Sequence, residues 1–209
     1  MKSLVEQFHV GAKIVFVVGK VRRSASRKVI HLYCLRTCGL ADFSGYIYSM
    51  PVTYYSSPVG MIRITEDKGY VTSVHFMDEV AGLDKPTTPV LKMAVQQLDE
   101  YFEGTRKEFD FPFRQPGSDF QQDVWQCLLS IGYGKTISYL QQSKLMKNPL
   151  AIRAIASANG RNHLAIIVPC HRVIGSDGSL TGYAGGMWRK KWLLEHEARV
   201  MGSGQTSLF

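Results

Sequence analysis

The sequence predicts an α/β-plus-α chain in two parts, a small strand-rich domain closed by a helix and then a mainly helical domain. Three observations predict it. Apolar residues alternate over short runs between Gly-containing turns from Tyr54 to Phe76, which reads as strand, turn, strand, turn, strand. "TPVLKMAVQQLDEYFEG" (88–104) then places Leu91, Ala94, Val95, Leu98, Tyr101 and Phe102 on one helical stripe, with Gly104 as the exit. From Asp119 onward the texture is helical, and two short helices joined by a tight turn form a helix-turn-helix candidate.

Residues 1–49 carry scattered basic residues and one short apolar run, "IVFVVG", between Lys13 and Lys20. That run is shorter than a membrane span or a typical signal-peptide core. The clean pattern begins at Met50, so residues 1–49 are expected to be an extension without an ordered fold, or to precede the native start at Met50. His31, Cys34 and Cys38 lie at H-x2-C-x3-C spacing, which matches no standard zinc finger, and no metal site is expected. After the first helix, "EFDFPF" alternates like a short strand and "RQPGS" (114–118) reads as a linker. Ser118 can cap the next helix, whose stripe is Phe120, Val124, Cys127, Leu128 and Ile131. "KTISYLQQSKLM" is a second helix. "NPLAIRAIASANG" is a third, with Asn148 as cap, Pro149 at the first position and Gly160 at the exit. Its small residues Ala151, Ala154, Ala156, Ser157 and Ala158 suit close approach to a flat partner or close packing on another helix. "LAIIV" (164–168) reads as a buried strand, and "WRKKWLLEHEARV" as a last helix with Trp192, Leu193 and His196 inward.

Of 209 residues, 45% are hydrophobic, and no apolar run is long enough to span a bilayer, so a soluble cytoplasmic protein without membrane contact is expected. The net charge of +8 is unevenly spread. Residues 1–49 hold 8 Lys/Arg against 2 Asp/Glu, residues 50–118 hold 7 against 10, and residues 119–209 hold 10 against 5. A basic final third suits a polyanionic partner. Four cysteines without secreted-scaffold density are expected to be reduced.

One thiol is placed for chemistry. In "IVPCHRVIGSDGSLTGYAGG" (167–186), Cys170 follows a proline at the end of an apolar run and precedes His171 and a Gly-rich loop. A free thiol is only a few per cent ionised at neutral pH, so a nucleophilic cysteine needs a base, and the base an orienting carboxylate. His171 is the nearest base. Neighbours on an extended chain point apart, so a water is expected to relay the proton. Glu197 is the obvious carboxylate and Glu195 the alternative. Cys127 sits on an apolar helix stripe and reads as core.

"PCHRVIG", "TGYAGG" and "WLLEHE", together with "KNPLAIRAIASANGRN" and "KTISY", resemble the O6-alkylguanine-DNA alkyltransferases from about Met50 to the end, most strongly over 118–197. The resemblance implies an RNase-H-like α/β domain (50–113), the linker (114–118) and a winged-helix domain (119–209). It implies double-stranded DNA containing an alkylated base as partner, minor-groove entry by the helix-turn-helix, and eversion of the base into a pocket. Cys170 is then the nucleophile, with His171 and Glu197 behind it, Asn162 as a hinge, and Tyr183 donating to the leaving guanine. Tyr139 would press on the phosphate beside the lesion and Arg153 would fill the gap in the duplex. Ala151, Ala154, Ser157, Asn159, Gly160 and Arg161 would line the DNA face, with Lys135, Lys144 and Arg161 on phosphates. Val168, Tyr183, Ala184 and Gly185 would line the pocket. Ala184 and His163 depart from the serine and proline that some or many members carry. The implied protein is a monomer that acts once, without cofactor or metal, on O6-alkylguanine, with O4-alkylthymine left open. A lesion sensor or regulator on the same winged helix, and a cysteine hydrolase, are the competing readings.

Overall fold

The computed structural model describes residues 4–10, 13–24, 27–34, 46–48, 50–78 and 86–202, with side chains described from Met50 onward. The chain forms two compact units, Met1–Pro51 and Val52–Phe209. In the first, β1 (Leu4–Val10), β2 (Lys13–Ser24), β3 (Arg27–Cys34) and β4 (Tyr46–Tyr48) form an antiparallel sheet in that order. The sequence reading expects no ordered fold here. β-branched residues such as Ile14, Val15, Val17, Val18, Val29 and Ile30 favour the paired strands instead. The side chains of His31, Cys34 and Cys38 lie outside the described residues.

The second unit opens with β5 (Val52–Ser57), β6 (Gly60–Asp67) and β7 (Tyr70–Met77), an antiparallel sheet in chain order. Alternation sends Thr53, Tyr55, Ile62 and Ile64 into the core, and a register shift between the Glu66/Val71 and Thr65/Ser73 pairs lets both Val71 and Val74 point inward as well. Helix α1 (Pro89–Phe102) is capped by the Thr88 hydroxyl, which accepts from the Leu91 amide, and buries Leu91, Ala94, Leu98 and Tyr101. The predicted strand at 108–113 reduces to one bridge, Phe113 to Val71.

The supposed linker is not slack. Gln115 is buried, and its side chain bonds residues 162 and 163. Helix α2 (Asp119–Leu129) starts in a Ser118/Gln121 capping box and buries Val124, Trp125 and Leu128, while Cys127 is half-buried. Strand β8 (Ile137–Ser138) leads into α3 (Tyr139–Leu145), again through a capping box, Ser138 with Gln141. A 3-10 turn (Pro149–Ala151) precedes α4 (Ile152–Gly160), and Asn148 makes no side-chain cap. The Trp125 indole donates to the Ala158 carbonyl at 3.0 Å and fixes α4 against α2. Strand β9 (Val173–Ile174) pairs in parallel with β8, and α5 (Met187–Val200) closes the chain.

The predicted strand at 164–168 is corrected. Only Leu164 bridges β7, at Val74. Ile166 then adopts φ 72°, an unusual left-handed value for a β-branched residue, and the chain turns. Cys170–Arg172 is a single 3-10 turn, not the end of a strand.

Candidate active site

Cys170 lines a cavity of about 120 Å³ together with His75, Phe76, Asn159, Asn162, Tyr183 and Gly185. Asn162 holds the wall that carries the sulfur. Its Nδ2 donates to the Val168 carbonyl (2.7 Å) and approaches Cys170 Sγ (3.3 Å). Its Oδ1 accepts from the Leu164 amide (3.0 Å) and from Gln115 Nε2 (3.1 Å). Gln115 Oε1 in turn accepts from the His163 amide at 2.8 Å. One buried amide thus joins the segment before the turn to the segment after it.

Behind Cys170, His171 Nε2 lies 2.9 Å from Glu197 Oε1, and both side chains are fully buried. A carboxylate only accepts, so Nε2 carries the proton and Nδ1 is left basic. Among the described residues, Nδ1 has no hydrogen-bond partner. Burial pushes the imidazole below its ordinary value, against the pull of Glu197, and Arg172 and Lys190 lower it further. The ring is therefore neutral and able to take a proton. Burial alone would raise the Glu197 carboxyl. The hydrogen bond from His171 and the charge and hydrogen bonds of Arg172 override it and hold the group well below the usual carboxylate range. Arg172 Nε and Nη2 each donate to Glu197 at 3.0 Å, Tyr101 Oη at 2.9 Å, and the Gly134 amide at 3.0 Å.

Burial also raises the Cys170 thiol, offset in part by Asn162 and by the charge of Lys190. The resting sulfur is therefore a thiol, and the anion has to be formed by passing its proton on. Lys190 is buried with Nζ on the Val173 and Thr181 carbonyls, at 2.6 and 2.7 Å, and desolvation lowers it to about 8. Tyr183 Oη is buried and without a hydrogen-bond partner among the described residues, and burial first, then Cys170, keeps it protonated, so it is available as a donor. This cysteine, base and carboxylate can deliver a nucleophile to a ligand in the cavity.

Residues 50–115 match the family model of the 6-O-methylguanine DNA methyltransferase ribonuclease-like domain, and residues 119–199 match that of its DNA-binding domain. The chain belongs to the 6-O-methylguanine DNA methyltransferase family. Among its relatives, the constitutive methylated-DNA–protein-cysteine methyltransferase of Bacillus subtilis is 41% identical over 160 residues, covering 71% of this chain and 97% of the relative. The Methanosarcina acetivorans methylated-DNA–protein-cysteine methyltransferase is 42% identical over 148 residues, covering 68% and 95%. The crystal structure of Mycobacterium tuberculosis O6-methylguanine methyltransferase aligns with a TM-score of 0.65 at 39% identity, covering 72% of this chain and 94% of that one. A Mycobacterium tuberculosis structure in complex with DNA aligns at 0.65 and 41% identity, covering 71% and 93%.

In this methyltransferase, the structure brings Cys170, His171, Glu197, Asn162 and Tyr183 into one site. Glu195 instead faces Lys191 at 3.8 Å. On α4 and its flanks, Arg153, Ala154, Ser157, Gly160 and Arg161 are exposed and Ala151 is half-buried, as are Lys135 and Lys144 exposed nearby. Asn159, expected on the DNA face, is buried, paired with Gln142 (Nδ2 to Oε1, 2.8 Å), and lines the cavity. Its position on the helix face toward α3 decides this. Val168, expected in the pocket, does not line it. Its side chain is buried and its carbonyl serves Asn162. Tyr139 is half-buried with its hydroxyl 3.4 Å from the Thr181 carbonyl. Ala184 and Gly185 line the cavity as expected. Sequence reasoning missed Gln115, Tyr101 and Arg172, and also Phe76, whose ring packs on Tyr183 with centroids 6.3 Å apart. Arg172 adjoins the motif and could have been found there. The others are distant in sequence and carry no marker.

Proposed function

We propose that this chain repairs alkylated double-stranded DNA by moving the alkyl group irreversibly from O6-alkylguanine to its own Cys170. The base turns out of the duplex into the cavity, because its alkyl carbon cannot be reached in the stack. The unpaired His171 Nδ1 takes the thiol proton, through a water, while Glu197 steadies the imidazolium. Sγ forms a bond to the alkyl carbon as the carbon–oxygen bond breaks. The departing guanine anion takes a proton from Tyr183 Oη, and the proton held by His171 makes good that loss. The thioether has no hydrolysable bond, so each molecule acts once. Arg153 fills the vacated stack, Tyr139 presses on the neighbouring phosphate, and the small face of Ala151, Ala154 and Ser157 admits the minor groove. We take the acting form to be a monomer, since every group the mechanism needs lies within residues 139–197 of one chain. A working thiol needs a reducing compartment, so the cytoplasm is its proposed location.

The observation that carries the reading is a thiol on a cavity wall, followed directly in the chain by a neutral, buried imidazole whose Nδ1 is unpaired among the described residues. Mass spectrometry after incubation with duplex DNA containing O6-methylguanine tests it. The expected result is one methyl on Cys170 per guanine repaired, with Cys170→Ser binding the duplex but taking no methyl. Unmodified protein that still binds DNA would favour a lesion sensor, and repeated release of an acid would favour a hydrolase. Either overturns the proposal.

A further inference from the structure

The outer face of the ribonuclease-like sheet carries an aligned row of side chains. Tyr54 on β5 stands opposite Arg63 on β6, which stands opposite His75 on β7. The segment His163–Ala165 lies along β7, joined by the Val74 amide to the His163 carbonyl (2.8 Å) and the Ala165 amide to the Val74 carbonyl (3.1 Å). The His163 ring meets the His75 ring edge-on, centroids 5.7 Å apart. Arg63, His75 and His163 are exposed and Tyr54 is half-buried. The row contains no acidic residue, although residues 50–118 as a whole hold more acids than bases. Among the described residues Arg63 forms no ion pair. One end of the row is the active-site mouth, because His75 lines the cavity that holds Cys170 and His163 adjoins Asn162.

We infer that Tyr54, Arg63, His75 and His163 form a second DNA-backbone surface, taking phosphates of the strand whose nucleotide is everted into the cavity. This rests on the proposed base eversion. A nucleotide whose base reaches Cys170 leaves its two flanking phosphates at the cavity mouth, and a row leading away from that mouth, with the Arg63 guanidinium and two imidazoles and no acid, is where the strand would run. Tyr54, Arg63 and His75 lie in the ribonuclease-like part, outside the region matched by the DNA-binding domain, and His163 lies within that region. Burial, then the neighbouring His163 and Arg63, lower the His75 imidazole, so in the free protein it is neutral near pH 7. The other charged groups lining the same cavity, Asp78 and Arg189, are paired with each other at 2.9 Å. A bound phosphate would raise His75, so binding takes up a proton and tightens as pH falls.

The test uses full-length Cys170→Ser protein, so that backbone contact is read whether or not a methyl can pass, with fluorescence anisotropy on duplex DNA across salt and pH. Arg63→Gln should make the slope of log affinity against log salt about 0.9 less negative, so that its deficit shrinks about 3.5-fold between about 50 and about 200 mM salt. On the Cys170 background, Arg63→Gln should leave reaction with free O6-methylguanine base unchanged. His75→Gln/His163→Gln should flatten the tightening between pH 7.5 and 6. Unaltered salt slope and pH dependence in these variants overturn the inference. So does an equal loss on the free base in Arg63→Gln, which would place the arginine's action inside the cavity. Failure of wild-type protein to gain a methyl would instead sink the transfer reaction and leave the anisotropy result standing on its own.

Discussion

The two walls of the cavity are built differently. The wall bearing Cys170 is over-determined. Asn162 ties Leu164, Val168, Gln115 and the sulfur together, and Glu197 gathers His171, Arg172, Tyr101 and the Gly134 amide. The facing loop, residues 182–186, is held at few points. Gly182 and Gly186 sit at φ 49° and 89°, values that favour glycine. Tyr139 Oη reaches the Thr181 and Gly182 carbonyls only at 3.4 and 3.5 Å. The loop's shorter ties to the rest of the fold run to α5, from Arg189 Nη1 to the Gly185 carbonyl (3.0 Å) and from the Lys190 amide to the Gly186 carbonyl (3.2 Å), with Lys190 Nζ on Thr181 at its edge (2.7 Å). Ligand cavities commonly run to at least about 300 Å³, and this one measures about 120 Å³. The contrast teaches where room for a base can come from. The nucleophile's wall cannot yield without losing buried hydrogen bonds, whereas the loop can swing on its glycines.

Breaking the rigid wall should have the largest effects. Glu197→Gln leaves the buried Arg172 without its counter-charge, a loss of about 3–5 kcal/mol, and deprives His171 of its brace. Denaturant unfolding should show that loss and methyl transfer should cease, and an unchanged midpoint would remove the carboxylate from this role. Asn162→Ala strands the Leu164 amide and the Gln115 side chain, each worth about 1–3 kcal/mol if left unpaired, and should slow transfer to free base as well as to DNA.

The pH dependence sharpens the same contrast. The folded His171 binds its proton less readily than the unfolded chain does. Its contribution to stability is complete above pH 6.5 and is lost as pH falls from there toward the lowered folded value. Glu197, also lowered, adds stability that is complete above about 4.5 and is lost further into acid. Unfolding midpoints should therefore fall steadily below pH 6.5, and a profile flat down to pH 5 would show that His171 is charged in the fold. The smallest effect belongs to the yielding wall. Asp78 is exposed and holds Arg189 Nη2 at 2.9 Å. Asp78→Asn should change stability by less than about 1 kcal/mol, yet raise the rate with a bulky O6-benzyl adduct relative to methyl by up to about fivefold. An unchanged ratio would mean that Arg189 does not restrain the loop.

Much of this was legible in the residues. The strand alternation of 52–76, the helix over 89–102 and the Ser118 cap carried through to the structure, whereas Asn148, read as a cap in the same way, makes no side-chain cap, and Asn162, Tyr183 and the choice of Glu197 over Glu195 rest on the family resemblance. What was not legible depended on long-range contact or on backbone shape. "LAIIV" is as apolar as a strand, and nothing in its composition announces the left-handed turn at Ile166. Asn159 and Arg161 look equally polar in sequence, but only the packing of α4 on α3 buries one and exposes the other. Gln115 sits in a stretch that reads as loose because Pro116 and Gly117 flank it, yet its amide is matched to a partner 47 positions away.

The cooperation of Tyr101 and Gln115 with the site has a practical meaning for anyone wishing to trim this molecule. A fragment beginning at Asp119 would keep Cys170, His171, Asn162, Tyr183 and Glu197 but lose His75 and Phe76 from the cavity wall. It would also strip one donor from Glu197 and both ends of the clamp beneath Asn162. Chemistry and scaffold do not divide along the same line, so the helical half is no self-sufficient module.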